Sequence, residues 1–234
     1  RGGDDLAALA EAIRTDFDRW LVRDSTVAGY ALFEPGAAEP ELLLHPSDRR
    51  TGLHYSLLPM TQGIVSGLFD AEAALHHQRL VAGHLTFPDG IRLMDKPVAY
   101  HGGPEHIFRR AESAAFFGRE IGLLYIHAHL RHGEALAALG EAEGVWQVLA
   151  AANPVVVADR VANAARRQRN AYFSSSDAAF PDRYSASADW QLARLGEIAA
   201  DGGWRIYSSG PGLFTNLFLC HAFGLRRRPD GRRA

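Results

Sequence analysis

Apolar spacing predicts a long helical stretch over roughly residues 112–151, broken near Gly140–Gly144 and stopped by Asn153-Pro154. A helix of that length must lay its apolar sides against other elements, and the rest of the chain supplies mostly helices. Leu6, Leu9, Ile13, Phe17, Trp20 and Leu21 give residues 5–22 an amphipathic helical pattern. Asp70 is placed to cap a helix reaching about Leu85, and a further helix is predicted over 186–200 with Trp190 and Leu195 inward. The run from about Gly212 to Phe223 is apolar on most sides. Between these lie polar segments: 87–103, rich in Pro, Gly and His, and 166–177. Val27–Phe33 and Glu41–Leu44, flanking Pro35-Gly36 and Pro40, predict a short hairpin insertion. The expected fold is all-α, with long functional loops gathered at one end. Neither βαβ units, nor Gly-x-Gly-x-x-Gly, nor a phosphate-binding P-loop occurs.

Composition narrows the function classes. In 234 residues the formal net charge is −2, so no global charge favours nucleic acid or an anionic membrane. Cys220 is the one cysteine, which excludes an internal disulfide and fits a reducing cytoplasm. The longest apolar candidate for a membrane span is interrupted by Arg119, Glu120, His127 and Arg131, so no membrane contact is expected. The sequence starts at Arg1 within a helical pattern and is expected to be a piece of a longer polypeptide. Residues 226–234, with five arginines, read as a solvated basic tail beyond a folded 1–225.

Two segments carry chemistry. On one helix Glu120, His127, Arg131 and Glu134 fall within an arc of roughly 60°. Leu123, Leu124, Ile126 and Leu130 flank them. Such a stripe is either a solvated face with charge pairs or, on a buried helix, the lining of a polar cavity. The second segment is Ser208-Ser209-Gly210-Pro211-Gly212, ahead of an apolar helix. It is a turn with a serine cap, or the same geometry holding an anion at the first helical N–H groups. The eleven histidines predict no metal site: His127 and His129 face opposite sides, and neither His-Glu-x-x-His nor a cysteine pair occurs. Ser208 and Ser209 lie in no Gly-x-Ser-x-Gly elbow.

The stretches HPSDRRTGLHYSLLPMTQGI, FPDGIRLMDKPVAYHGGPEHIFRRAESAAFFGREIGLLYIHAHLRHGEAL, RQRNAYFSSSDAAFPDRY and GGWRIYSSGPGL together resemble glycoside hydrolase family 94, the inverting β-glucoside phosphorylases. Within it the likeness is to 1,2-β-oligoglucan phosphorylases and to the C-terminal region of cyclic β-1,2-glucan synthases. The resemblance runs from about residue 5 to 225. It implies the later part of a catalytic (α/α)6 barrel. It also implies phosphorolysis, in which an aspartic acid protonates the leaving oxygen while inorganic phosphate attacks the anomeric carbon from the opposite face. The implied substrates are a β-gluco-oligosaccharide and phosphate, with no metal or organic cofactor, and a homo-oligomer is possible for the full-length protein.

Carried over by position, the resemblance places His127, Ser209 and Gly210 at the phosphate. It places Arg119 and Glu120 at the acceptor-side sugar. The family's Asp-Trp-Asn/Asp-Asp type segment, which holds the general acid, has no counterpart here. The acid is therefore expected upstream of Arg1, and this chain alone is expected to be inactive. The rival expectation is a non-catalytic helical carbohydrate-binding module, indifferent to phosphate.

Overall fold

The computed structural model describes residues 2–99, 124–153, 156–160, 164, 175–202 and 209–225. Helix α1 (Gly2–Leu21) leads into strands β1 (Val22–Arg23) and β2 (Thr26–Val27). A hairpin of β3 (Tyr30–Leu32) and β4 (Glu41–Leu43) follows, pairing Tyr30 with Leu43 and Leu32 with Glu41, as the sequence predicts. Helices α2 (Leu57–Val65) and α3 (Ala71–Leu80) come next, the second capped by Asp70, whose carboxylate accepts from the Ala73 amide at 2.8 Å. A π-helical turn, Val81–Leu85, extends α3 into the short hairpin β5 (Thr86–Phe87) and β6 (Gly90–Ile91).

Strand β7 (Leu124–Tyr125) runs directly into α4 (Ile126–Ala138), and α5 (Ala142–Ala152) folds back against it. Gly140, at φ +78°, makes the reversal, a backbone conformation that costs glycine least. Short α6 (Val157–Arg160), β8 (Ser175–Ala178), α7 (Arg183–Leu195), β9 (Ala200–Gly202) and α8 (Ser209–Asn216) complete the order, with a closing π-helical turn, Leu217–Ala222.

The core lies between α2, α4, α5 and the Leu217 turn, where Leu57, Met60, Leu130, Val148, Leu149 and Leu217 are buried together. Gly133 permits a close approach: a Cβ there would sit 2.5 Å from Leu217 Cδ2 and 3.0 Å from Val148 Cγ1. Helices α2 and α4 run side by side in the same direction. Thr61 Oγ1 meets His132 Nδ1 at 3.1 Å, and one turn on Ile64 and Ala135 share a cluster. The N-terminal ends of both helices reach the 86–94 segment. The Leu57 amide donates to the Leu93 carbonyl (2.9 Å), and the Ile91 amide donates to His129 Nδ1 (3.1 Å).

Several expectations are corrected. The segment from Phe87 is not wholly loop: Phe87, Asp89, Gly90, Ile91 and Arg92 are buried. Arg92 sits there because Asp89 pairs with it at 2.7 Å and the rings of Phe87 and Trp190 cover its guanidinium at 4.9 and 5.2 Å. Trp190 is inward as expected, but Leu195 is 60% exposed, because α7 ends immediately after it at Gly196 (φ +76°). On α1 the apolar stripe turns outward at Leu6, Leu9 and Ile13, and only Phe17 and Leu21 reach the core. Helix over 112–151 holds for α4 and α5; residues 124–125 are strand, and 112–123 lie outside the described residues. The structure is mostly helical with short strands, consistent with the all-α expectation.

Candidate functional site

His127 is the second residue of α4, in its first turn. Tyr125, just before the helix, makes no side-chain capping bond to that turn, where the positive end of the helix dipole lies. The imidazole stacks beside Tyr125, with ring centroids 5.8 Å apart and 15° between planes. Its Nδ1 is buried with no hydrogen-bond partner among the described residues. Burial holds the His127 pKa below the ordinary histidine value, Arg131 one turn on lowers it further, and Glu134 partly opposes both. The ring is therefore neutral at pH 7, and an anion arriving beside it would draw a proton onto it.

Arg131 and Glu134 occupy the same face. Arg131 Nη1 donates to Glu134 Oε2 at 2.5 Å, and Asn216 Nδ2 of α8 donates to Glu134 Oε1 at 3.1 Å. Glu134 thus ties α4 to α8 two turns below His127. The predicted four-residue stripe is shortened to three on this helix. Strand β7 interrupts the chain at Leu124–Tyr125, so Glu120 does not share a continuous helix with His127. Arg119 and Glu120 themselves lie outside the described residues.

Ser209 opens α8 and Gly210 is buried within its first turn, so the helix begins ahead of the expected Gly212. Ser208 and the Ser209 side chain lie outside the described residues. A three-stranded antiparallel ladder gathers the approaches to both helices. Strand β7 pairs with β8 (Leu124 with Ser176), and β8 pairs with β9 (Ser176 with Gly202). Strand β7 enters α4 without a break, and β9 precedes α8 by a few residues.

A second polar cluster, ahead of α2, escaped the sequence reading. Asp95 Oδ1 accepts from the amides of His54 (3.0 Å) and Tyr55 (3.2 Å), and Oδ2 lies 3.7 Å from His54 Nδ1. Tyr55 stacks on His84 with centroids 4.0 Å apart, and Trp190 Nε1 donates to the Asp95 carbonyl at 2.8 Å. Burial, then the Asp95 charge, raises the Tyr55 pKa. Burial, then Arg194, lowers that of His84. Such a carboxylate between aromatic faces suits a sugar ring and its hydroxyls. Its members are far apart in sequence and no spacing announces them; the Leu-His-Tyr run before α2 was the only local signal.

Other histidines serve the fold. His129 accepts from Ile91 and its Nε2 donates to the Val148 carbonyl (2.8 Å), while His132 Nδ1 is engaged by Thr61, so each ring has its own structural partner. Among the described residues no group of three or more His, Cys, Asp or Glu side chains is arranged to hold a metal ion, and no helix is long and apolar enough to cross a membrane.

No protein-family model matches the chain. It is similar to a 1,2-β-oligoglucan phosphorylase of Listeria innocua serovar 6a, with 43% identity over 229 residues. The match covers 97% of this chain but 21% of that protein, so the chain spans about a fifth of the relative's length. Identity of that extent over nearly the whole chain supports its reading as a phosphorylase region of the glycoside hydrolase family 94 type.

Proposed function

We propose that this chain contributes the phosphate-binding side of the active site of an inverting β-glucan phosphorylase. The enzyme transfers a glucosyl unit from a β-gluco-oligosaccharide, β-1,2-linked, to inorganic phosphate. A phosphate oxygen bonds to the anomeric carbon, the glycosidic carbon–oxygen bond breaks, and the leaving oxygen takes a proton from an aspartic acid. The products are α-glucose 1-phosphate and a shortened glucan. The acid is proposed to come from the part of such a protein that this chain does not span.

One observation carries the reading: His127 stands in a helical first turn that Tyr125 does not cap, and its buried Nδ1 has no hydrogen-bond partner among the described residues. A phosphate dianion there meets the helix's positive end, and its charge favours the imidazolium, so the ring takes up a proton from solvent and gives the anion a charge-assisted hydrogen bond. Ser209 and Gly210 are proposed to close the site. Ser209 precedes Asn216 by seven residues, as His127 precedes Glu134. With Asn216 bonded to Glu134, the proposal takes the two helices as parallel, which would bring their N-termini level. The ladder's short connection from β9 to α8 favours that direction. Arg119 and Glu120 are proposed at the acceptor-side sugar by resemblance alone.

The test is phosphorolysis of β-1,2-gluco-oligosaccharides by the longer polypeptide bearing this chain. His127→Ala is expected to raise KM for phosphate by about tenfold to a hundredfold, the loss of one charge-assisted hydrogen bond, while oligosaccharide binding stays within about twofold. An unchanged phosphate KM removes His127 from the site. Oligosaccharide binding without any phosphate-dependent turnover would favour the non-catalytic module.

A further inference from the structure

Away from His127, a cavity of about 220 Å³ opens between the α3–β6 segment and the α4–α5 hairpin. Phe87, Ile91, Leu136 and Val148 form apolar walls, and exposed Ala82 and Arg160 stand at its rim. Two buried polar atoms of its lining residues have no hydrogen-bond partner among the described residues: Gln78 Oε1 on α3 and His132 Nε2 on α4. His132 is 0% exposed, and its other ring nitrogen is already engaged by Thr61. Buried polar atoms without partners are costly, and two of them on residues that line one cavity favour an occupant able to satisfy both.

We propose that this cavity is a binding site for one uncharged, hydroxyl-rich ring the size of a hexose, separate from the phosphate site. The volume equals about seven waters at liquid density and falls below the ~300 Å³ at which drug-sized pockets begin, which suits a single pyranose. A hydroxyl both donates and accepts, so it satisfies His132 Nε2 in either tautomer and Gln78 Oε1 in the same shell. The apolar walls meet the C–H faces of the ring. Charge is disfavoured inside: burial, with His129 adding to it, pushes the His132 pKa down to about 3 and keeps the ring neutral, while Arg160 and the charged Glu141 lie at the exposed margin.

Nothing in this site depends on phosphorolysis. The probe is D-glucose, followed on the 234-residue chain by saturation-transfer NMR with a full titration. Saturable binding is expected in the wild type and in His127→Ala, unaffected by inorganic phosphate. Gln78→Leu, which removes one partner, and Ala82→Phe, which closes the mouth from an exposed position and spares the core, are each expected to weaken it at least tenfold. Absence of saturable binding, or equal binding in both cavity variants, would leave the cavity to water and overturn the proposal. Loss in His127→Ala alone would move the glucose to the phosphate site and overturn it equally. Loss of phosphorolysis in the longer enzyme with glucose binding intact would strike only the phosphorylase reading.

Discussion

His77 is 1% exposed and joins two distant backbone groups: Nδ1 donates to the Ala73 carbonyl at 2.7 Å, and Nε2 accepts from the Val27 amide at 3.1 Å. His129 performs the same task between Ile91 and Val148, and His45 between the Ser47 amide (3.1 Å) and the Arg23 carbonyl (3.0 Å). A neutral imidazole has one donor and one acceptor, so it fits between an N–H and a C=O as no other side chain of its shape does. A proton on His77 Nε2 would point at the Val27 N–H. Burial first, and the nearby His76 charge after it, lower its pKa to about 4 despite the opposing Ala73 bond. The unfolded ring takes its proton near pH 6.5, so the stabilisation is complete above that value. It falls away as pH drops from about 6.5 to 4, by on the order of 3 kcal/mol for this residue. Urea unfolding at pH 7, 5.5 and 4 is expected to show that slope in the wild type and a shallower one in His77→Leu; parallel slopes would mean His77 is charged when folded. None of this was legible beforehand: a count of eleven histidines reads the same whether each ring braces backbone, binds phosphate or faces water.

At the scale of elements, the contact among α4, α5 and the Leu217 turn depends on an absent side chain. Gly133→Ala places a methyl 2.5 Å from Leu217 Cδ2, too near for either to stay. The expected cost is about 1–3 kcal/mol, the range for overpacked cores. Leu217→Ala should cost more by itself, yet combining it with Gly133→Ala should destabilise by less than the sum of the two, as the space one removes the other fills. A strictly additive double mutant, read from denaturant midpoints, would place the strain elsewhere. The α4–α5 hairpin around Gly140 was readable because periodicity and glycine are local signals. The β7–β8–β9 ladder was not, since each strand is two to four residues long and its partners are far off in sequence. The burial of Arg92 was not legible for the same reason, as the Phe87 and Trp190 rings that enclose its charge come from separate segments.

On the whole molecule, the outward stripe of Leu6 (68% exposed), Leu9 and Ile13 along α1 leaves a row of apolar groups in water. The isolated chain is therefore expected to self-associate, and replacing all three with Glu should yield a monomer in sedimentation velocity with no more than about 0.5 kcal/mol lost, as befits surface positions. A wild-type chain that sediments as a monomer would show the stripe to be tolerated. The periodicity that identified this helix could not say which way its apolar side faces, because that depends on what lies beside it. Time imposes one more order on the structure. The pairings of Leu124 with Ser176 and of Ser176 with Gly202 close long stretches of chain, whereas the α4–α5 hairpin closes a short one. Long closures lose more entropy and form later. The helical hairpin is thus the early event in folding, and the end that presents His127 is completed last and opens first.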